Sequence, residues 1–396
     1  MISFNFRCIV PPLFKENLHL ALQHCDRLRA ISISYMPLED LELSSALNNA
    51  FPMLEVLSLS SIYVETQPLL HNIAAPNLRA LHLRDVVVLR DVFPLTKATN
   101  LLSLRLELMR FIPPGSLVES IASVPYLDNI SIALFSDTSL PTTMMEIPPT
   151  QITRVVLPRL SRFMFTGVDA YLENLPTRIS APFVQDLRFT ISLKETPTVV
   201  CLSAFLATIQ NLNFQKAVMS FFPRCVAISF HSEEPSVVPP YSRFTIYSDD
   251  RDRAIASVAQ ICSAIESALS LVETLEIKLK SDYHHNRVQS GPFVQHELWR
   301  AFLRSFGSVK VLRADMVLIA ELSDALHPKN EAAVIKELLP KLSELVVVSW
   351  KDPVDQPFSS FTSARHLGGY FIDLRIVQDH TSSLRPPPIS WSFDTF

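Results

Sequence analysis

The chain has 396 residues, 48% of them hydrophobic and 19% charged, with a net charge of −4. Six glycines leave almost no room for Gly-rich loops that bring backbone against phosphates or dinucleotides. The apolar content excludes wholesale disorder, and a near-balanced charge with no basic half lacks the footprint that nucleic-acid backbones demand.

The N-terminal residues Met1 to Arg7 lack a secretory apolar core, and Pro11-Pro12 interrupt the run that follows. From Leu28 onward a unit recurs: apolar-x-x-apolar-x-apolar, usually entered through a proline. It reads Leu28/Ile31/Ile33, Leu54/Leu57/Leu59, Leu78/Leu81/Leu83, Leu101/Leu104/Leu106, Leu127/Ile130/Ile132, Leu160/Phe163/Phe165 and Val184/Leu187/Phe189. These begin 26, 24, 23, 26, 33 and 24 residues apart, mostly within the period of leucine-rich repeats. The alternation closing each unit predicts a short strand with one face buried.

Segments of helical period lie between the strands. Leu117, Ile121 and Val124 share one face, as do Leu202, Phe205, Leu206 and Ile209. Between about Ile191 and Asp250 the pattern blurs. Phe221 to Phe230 predicts one further strand, Ser232 to Pro240 an exposed loop, and Phe244 to Tyr247 another strand. Beyond it, Ile255, Val258, Ile261, Cys262, Ile265 and Leu269 line one helix face. No apolar run reaches the ~18 residues that span a bilayer; the best, Ala254 to Leu271, carries Gln260, Glu266 and several serines. The unit then returns at Val272/Leu275/Ile277, Val309/Leu312/Ala314 and Leu342/Leu345/Val347, with helical faces at Leu298/Phe302/Phe306 and Val334/Ile335/Leu338/Leu339.

Strand then helix in each cycle predicts an α/β leucine-rich-repeat solenoid, with parallel strands on the concave face and helices on the convex face. It is expected as one domain over residues 1–380, irregular over about 191–250, with a Pro-rich tail at 381–396. Side chains alternating with the buried ones then face outward. They are Ser58, Ser60, His82, Arg84, Arg105, Glu107, Arg188, Thr190, Glu276, Lys278, Arg313 and Asp315. Of these, His82, Arg84, Arg105, Glu107, Arg188, Glu276, Lys278 and Arg313 are the candidate partner-binding residues. Arg84, Arg105 and Arg188 are expected within reach of one acidic partner segment, since arginine grips carboxylates through a planar fork.

Motifs for chemistry fail one by one. His296-Glu297-Leu298-Trp299-Arg300 places an arginine where a zinc-binding helix needs its second histidine. Tyr283-His284-His285-Asn286 lacks a third ligand other than Asp282. Asp249-Asp250 and Glu233-Glu234 read as solvated loop charge, and Asn129-Ile130-Ser131 as a chance glycosylation match within a strand. There is no Gly-x-Ser-x-Gly elbow. No cofactor, metal or catalytic residue is expected. Five scattered cysteines without a Cys-x-x-Cys pair read as buried thiols of a reducing compartment, which implies a cytoplasmic or nuclear protein.

Several stretches resemble the leucine-rich-repeat region of fungal, mushroom-type F-box-like proteins. They are Phe51-Pro52-Met53-Leu54-Glu55-Val56-Leu57, Ala75-Pro76-Asn77-Leu78-Arg79-Ala80-Leu81, Leu157 to Phe163, Tyr171 to Pro182, Glu297 to Arg313, Leu339 to Leu345 and Phe361 to Arg365. The resemblance implies a non-catalytic interaction module, the substrate-recognition part of an F-box-type ubiquitin ligase receptor. The partner is then a protein target, not nucleic acid or membrane. The family's F-box docks the Skp adaptor, and its Leu-Pro-x-Glu-type motif does not occur ahead of Leu28. Skp binding is therefore expected only with an upstream F-box, and the alternative is a stand-alone scaffold or decoy.

Overall fold

The computed structural model describes residues 3–6, 12–34, 49–62, 74–86, 95, 98–109, 114–134, 154–193, 199–210, 212–232, 241–279, 294–326, 338–349, 358–367 and 369–378. These form an α/β structure with large, mostly parallel sheets and helices, grouped in two compact units. Residues 1–212 with 240–248 make the first unit, and residues 213–239 with 249–396 the second.

In the first unit the strands are β1 (Ser3–Phe6), β2 (Ala30–Ser34), β3 (Val56–Ile62), β4 (Ala80–Val86), β5 (Ser103–Met109) and β6 (Asn129–Leu134). The two-residue β7 (Val155–Val156) and β9 (Ile179–Ser180) pair only with each other, while β8 (Arg162–Val168) and β10 (Asp186–Ser192) continue the main sheet. The chain then builds a hairpin of β11 (Lys216–Phe222) and β12 (Cys225–His231) in the second unit. It returns to the first as β13 (Tyr241–Tyr247), parallel beside β10.

The expected register is present. Ile31, Leu57, Leu81, Leu104, Ile130, Phe163 and Leu187 stand in one row across seven parallel strands. Ile33, Leu59, Leu83, Leu106, Ile132, Phe165, Phe189 and Phe244 form the next. All of these side chains are buried. A one-residue slip of any strand would turn its whole apolar set to the opposite face, so burial of one face fixes the register. Helices α1 (Pro12–Gln23), α2 (Pro114–Ala122), α3 (Asp169–Asn174) and α4 (Val200–Leu206) fall between strands. Phe205 of α4 meets Phe163 of β8 edge-on at 5.7 Å, so the helix covers the apolar side of the sheet.

Six of these strands are entered by the same turn. The N–H of Leu54, Leu78, Leu101, Leu127, Leu160 and Val184 donates to the carbonyl three residues back, and both ends of each turn are buried. Just beyond, one carbonyl of the preceding repeat accepts two successive N–H groups. Arg29 takes Glu55 and Val56, Glu55 takes Arg79 and Ala80, and Arg79 takes Leu102 and Ser103. Asn77 and Asn100 donate side-chain bonds of 2.6 and 2.8 Å to the carbonyls of Pro52 and Pro76 one repeat earlier. Proline has no N–H to lose at these exposed positions, and its carbonyl remains an acceptor.

In the second unit β11 lies between β12 and β14 (Thr274–Leu279), followed by β15 (Val311–Asp315), β16 (Glu344–Ser349) and β17 (Asp373–Gln378). All pairings here are parallel except β11–β12. The sequence predicts one strand between Phe221 and Phe230; two occur, turned by the exposed Pro223-Arg224. The helices are α5 (Arg251–Ala264), α6 (Glu266–Leu269), α7 (His296–Arg304), α8 (Ile319–Leu326) and α9 (Ser359–Leu367). Asp250 caps α5 by accepting from the N–H of Asp252 and Arg253. On α7 and just after it the buried face is Trp299, Phe302, Leu303 and Phe306, and Leu298 is only half-buried. Of the expected face, Phe302 and Phe306 are thus buried, and Trp299 rather than Leu298 is its deepest residue in the first turn. The helix near Val334, the loop around Glu233-Glu234, the His284-His285 pair and the 381–396 tail lie outside the described residues. Of the four described cysteines only Cys262 is buried, and burial pushes its thiol up; Cys25, Cys201 and Cys225 are half-buried rather than core residues.

Among the described residues no helix is long and apolar enough to cross a membrane.

Candidate functional site

Because strand side chains alternate, the residues between the buried rows share the other face of each sheet. In the first unit one outer row runs Ser58, His82, Arg105, Ser131, Met164, Arg188 and Arg243. The next holds Ser60, Arg84, Glu107, Ala133, Thr166, Thr190 and Thr245. Five of the predicted site residues, His82, Arg84, Arg105, Glu107 and Arg188, therefore belong to one face. Glu276, Lys278 and Arg313 belong to the second unit, on β14 and β15.

The face is not a set of free charges. Arg105 Nε donates to Glu107 Oε1 at 2.5 Å, and its Nη2 joins the same oxygen. His82 Nε2 approaches Glu107 Oε2 to 3.5 Å, an ion-pair distance rather than an aligned hydrogen bond. Burial pushes the Glu107 carboxyl up, but His82 and Arg105 together outweigh it and hold the group below its ordinary value. Arg84, directly across from Glu107, makes interactions of its own. Arg105 and Arg188 share a row but are separated by Ser131 and Met164, three strand spacings or about 14 Å. They do not meet as a single arginine cluster.

Arg188 is built into a different group. Its Nε and Nη2 donate to the two carboxylate oxygens of Asp186 at 2.9 and 3.0 Å, and Arg162 Nε donates to the same carboxylate at 2.9 Å. The Arg188 guanidinium lies over the Tyr241 ring, 5.3 Å from its centre. Asp186, Arg162, Tyr241 and Arg243 are absent from the sequence-based set. The signal that finds Asp186 is spacing: opposite charges two residues apart on a strand share a face. The same i, i+2 pairing joins Arg105 to Glu107, Glu276 to Lys278 and Asp373 to Arg375.

In the second unit Glu276 accepts from Lys278 and is ion-paired to Lys216, both at 3.2 Å. Burial pushes its carboxyl up, and the two lysines more than reverse this. His231, registered opposite Lys216, is held below its ordinary value, first by burial and then by Lys216 and Lys278. Arg313 is exposed and forms no ion pair among the described residues. Asp315, expected to face outward, is buried and accepts from the Leu279 N–H at 2.5 Å. Its carboxylate serves the sheet.

Ser58 Oγ lies 3.4 Å from His82 Nδ1, so Ser58, His82 and Glu107 make a line of contacts across β3, β4 and β5. Arg300, in place of a second zinc-binding histidine, is buried and donates to the Ala325 carbonyl at 2.8 Å. Among the described residues no group of three or more His, Cys, Asp or Glu is placed to hold a metal. No family model matches the chain, and no curated protein gives a significant match.

Proposed function

We propose that the protein is a non-catalytic protein–protein interaction module, a leucine-rich-repeat solenoid whose outer sheet face binds a protein target. It would serve as the substrate-recognition part of an F-box-type ubiquitin ligase receptor. The observation that carries this reading is the outer face of the first unit. Seven parallel strands, locked in register by buried rows and in six cases by the same entry turn, present arginine, histidine, methionine and tyrosine on a rigid support. Arginine, tyrosine and methionine are the residues enriched at binding interfaces, and a preorganised face loses little entropy on binding.

The test is affinity purification with bulky blocks on opposite faces. Ser58→Trp with Thr190→Trp obstructs the outer sheet face, and Glu119→Trp with Ala204→Trp obstructs α2 and α4, where both positions are exposed. A protein recovered with the unmodified chain should be lost at least tenfold with the first pair and kept with the second. Loss with the helix pair alone contradicts the reading.

A further inference from the structure

We propose that the outer face of β8, β10 and β13 is a docking site for an acidic segment of a partner protein, with Arg188 and Arg243 receiving one of its carboxylates. This deepens the interaction reading above and rests on it. Parallel pairing sets Arg188 directly opposite Arg243, with Cα atoms about 4.8 Å apart. Like charges placed so are mutually destabilising. Among the described residues the carboxylate paired here is Asp186, already shared between Arg162 and Arg188, and Arg243 is exposed with no ion pair among them. Among the described residues three guanidiniums stand against one carboxylate, an excess of two positive charges in a chain whose net charge is −4.

The geometry of the group selects a carboxylate. Asp186 holds Arg188 by its Nε and Nη2, which fixes the plane of that guanidinium and leaves its remaining N–H groups directed away from Asp186. A planar fork held by one carboxylate is preorganised for a second. Tyr241 beneath Arg188 and Met164 beside it add apolar surface to the charged patch. Thr166, Thr190 and Thr245 form the row above and are small enough to let an extended backbone approach. By contrast, Arg105 is engaged by Glu107 and Lys278 by Glu276. The β8–β10–β13 face carries the excess charge.

Fluorescence anisotropy of a fluorescein-labelled (Glu-Thr)4 peptide, titrated with the full chain in low salt, tests the proposal. Binding is expected, weakening as salt is raised, with no binding of the matching (Lys-Thr)4 peptide. Arg243→Glu should weaken it at least tenfold. Arg313→Glu, an equal charge change at an exposed arginine of the second unit, should change it less than twofold, and both variants should melt as the unmodified chain does. Equal losses in the two variants, or no binding of the acidic peptide, overturn the proposal. If the acidic peptide fails while the outer-face tryptophan blocks still abolish partner capture, the interaction reading stands and this patch is not its acidic-segment site.

Discussion

Between Ala30 and Ser192 every strand of the main sheet adds parallel to the last, alternating a buried aliphatic or aromatic residue with one that faces outward. Between Lys216 and His231 two strands run antiparallel, and five consecutive residues of β11, Ala217 to Phe221, are buried. The first arrangement leaves a readable period of two and one face outside the buried rows. The second buries small residues such as Val218 and Ser220 on the outer side as well, which erases the alternation. The regular run is therefore held by repeated rows. The hairpin's neighbourhood relies on a specific polar network: Glu321 accepts from Arg251 and Trp299, both at 3.2 Å, and Arg251 lies over the Phe221 ring.

Breaking a row should have the largest effect. Leu57 is buried and Val56, its neighbour on the same strand, is 41% exposed. Leu57→Asp should cost about 3–5 kcal/mol, as uncompensated buried charges do, whereas Val56→Asp should stay within about 0.5 kcal/mol. Urea unfolding of the pair reads the difference, and equal losses would mean that β3 does not have this register. Glu321→Ala should cost about 2–3 kcal/mol, because it strands the Trp299 N–H and the Arg251 guanidinium with little access to water. A stability unchanged by Glu321→Ala would show that the network is incidental.

Smaller effects sharpen the contrast. A Cβ added at Gly167 would lie 2.8 Å from the Phe165 ring, so Gly167→Ala should overpack the aromatic end of the regular run by about 1–2 kcal/mol. A melt equal to that of the unmodified chain would show that the ring moves aside freely. Glu107 has a folded-state value below its unfolded one. Its contribution is thus fully present above the ordinary carboxylate value of 4.5 and lost as pH falls through the depressed folded value. Glu107→Gln should cost up to about 1 kcal/mol at pH 7, and the gap should close on acidification. A gap that widens in acid would reverse the assigned sign.

Much of the regular run is legible in the amino-acid sequence alone. The apolar rows, the Pro-marked entry turns and the helical faces of α2, α4 and α5 follow from spacing, because one buried face leaves a period in the residues. The hairpin is not legible, since burial on both sides removes that period. On α7 spacing finds Phe302 but misses Trp299, the largest anchor, because the neighbouring Leu298 completes an equally good period. The site is half legible. Alternation identifies the outward-facing positions but says nothing about which charges neutralise each other. Asp186 escapes it as a strand's first residue, and Arg243 lies in the stretch where the pattern blurs.

Site-specific photo-crosslinking tests the central claim most directly. A photoreactive benzoylphenylalanine in place of Thr190 sits on the outer sheet face, and the same group in place of Ala204 sits on the exposed side of α4. The account predicts covalent adducts with a captured partner protein from position 190 and none from 204. Adducts from 204 with none from 190 would place recognition on the helices and contradict it.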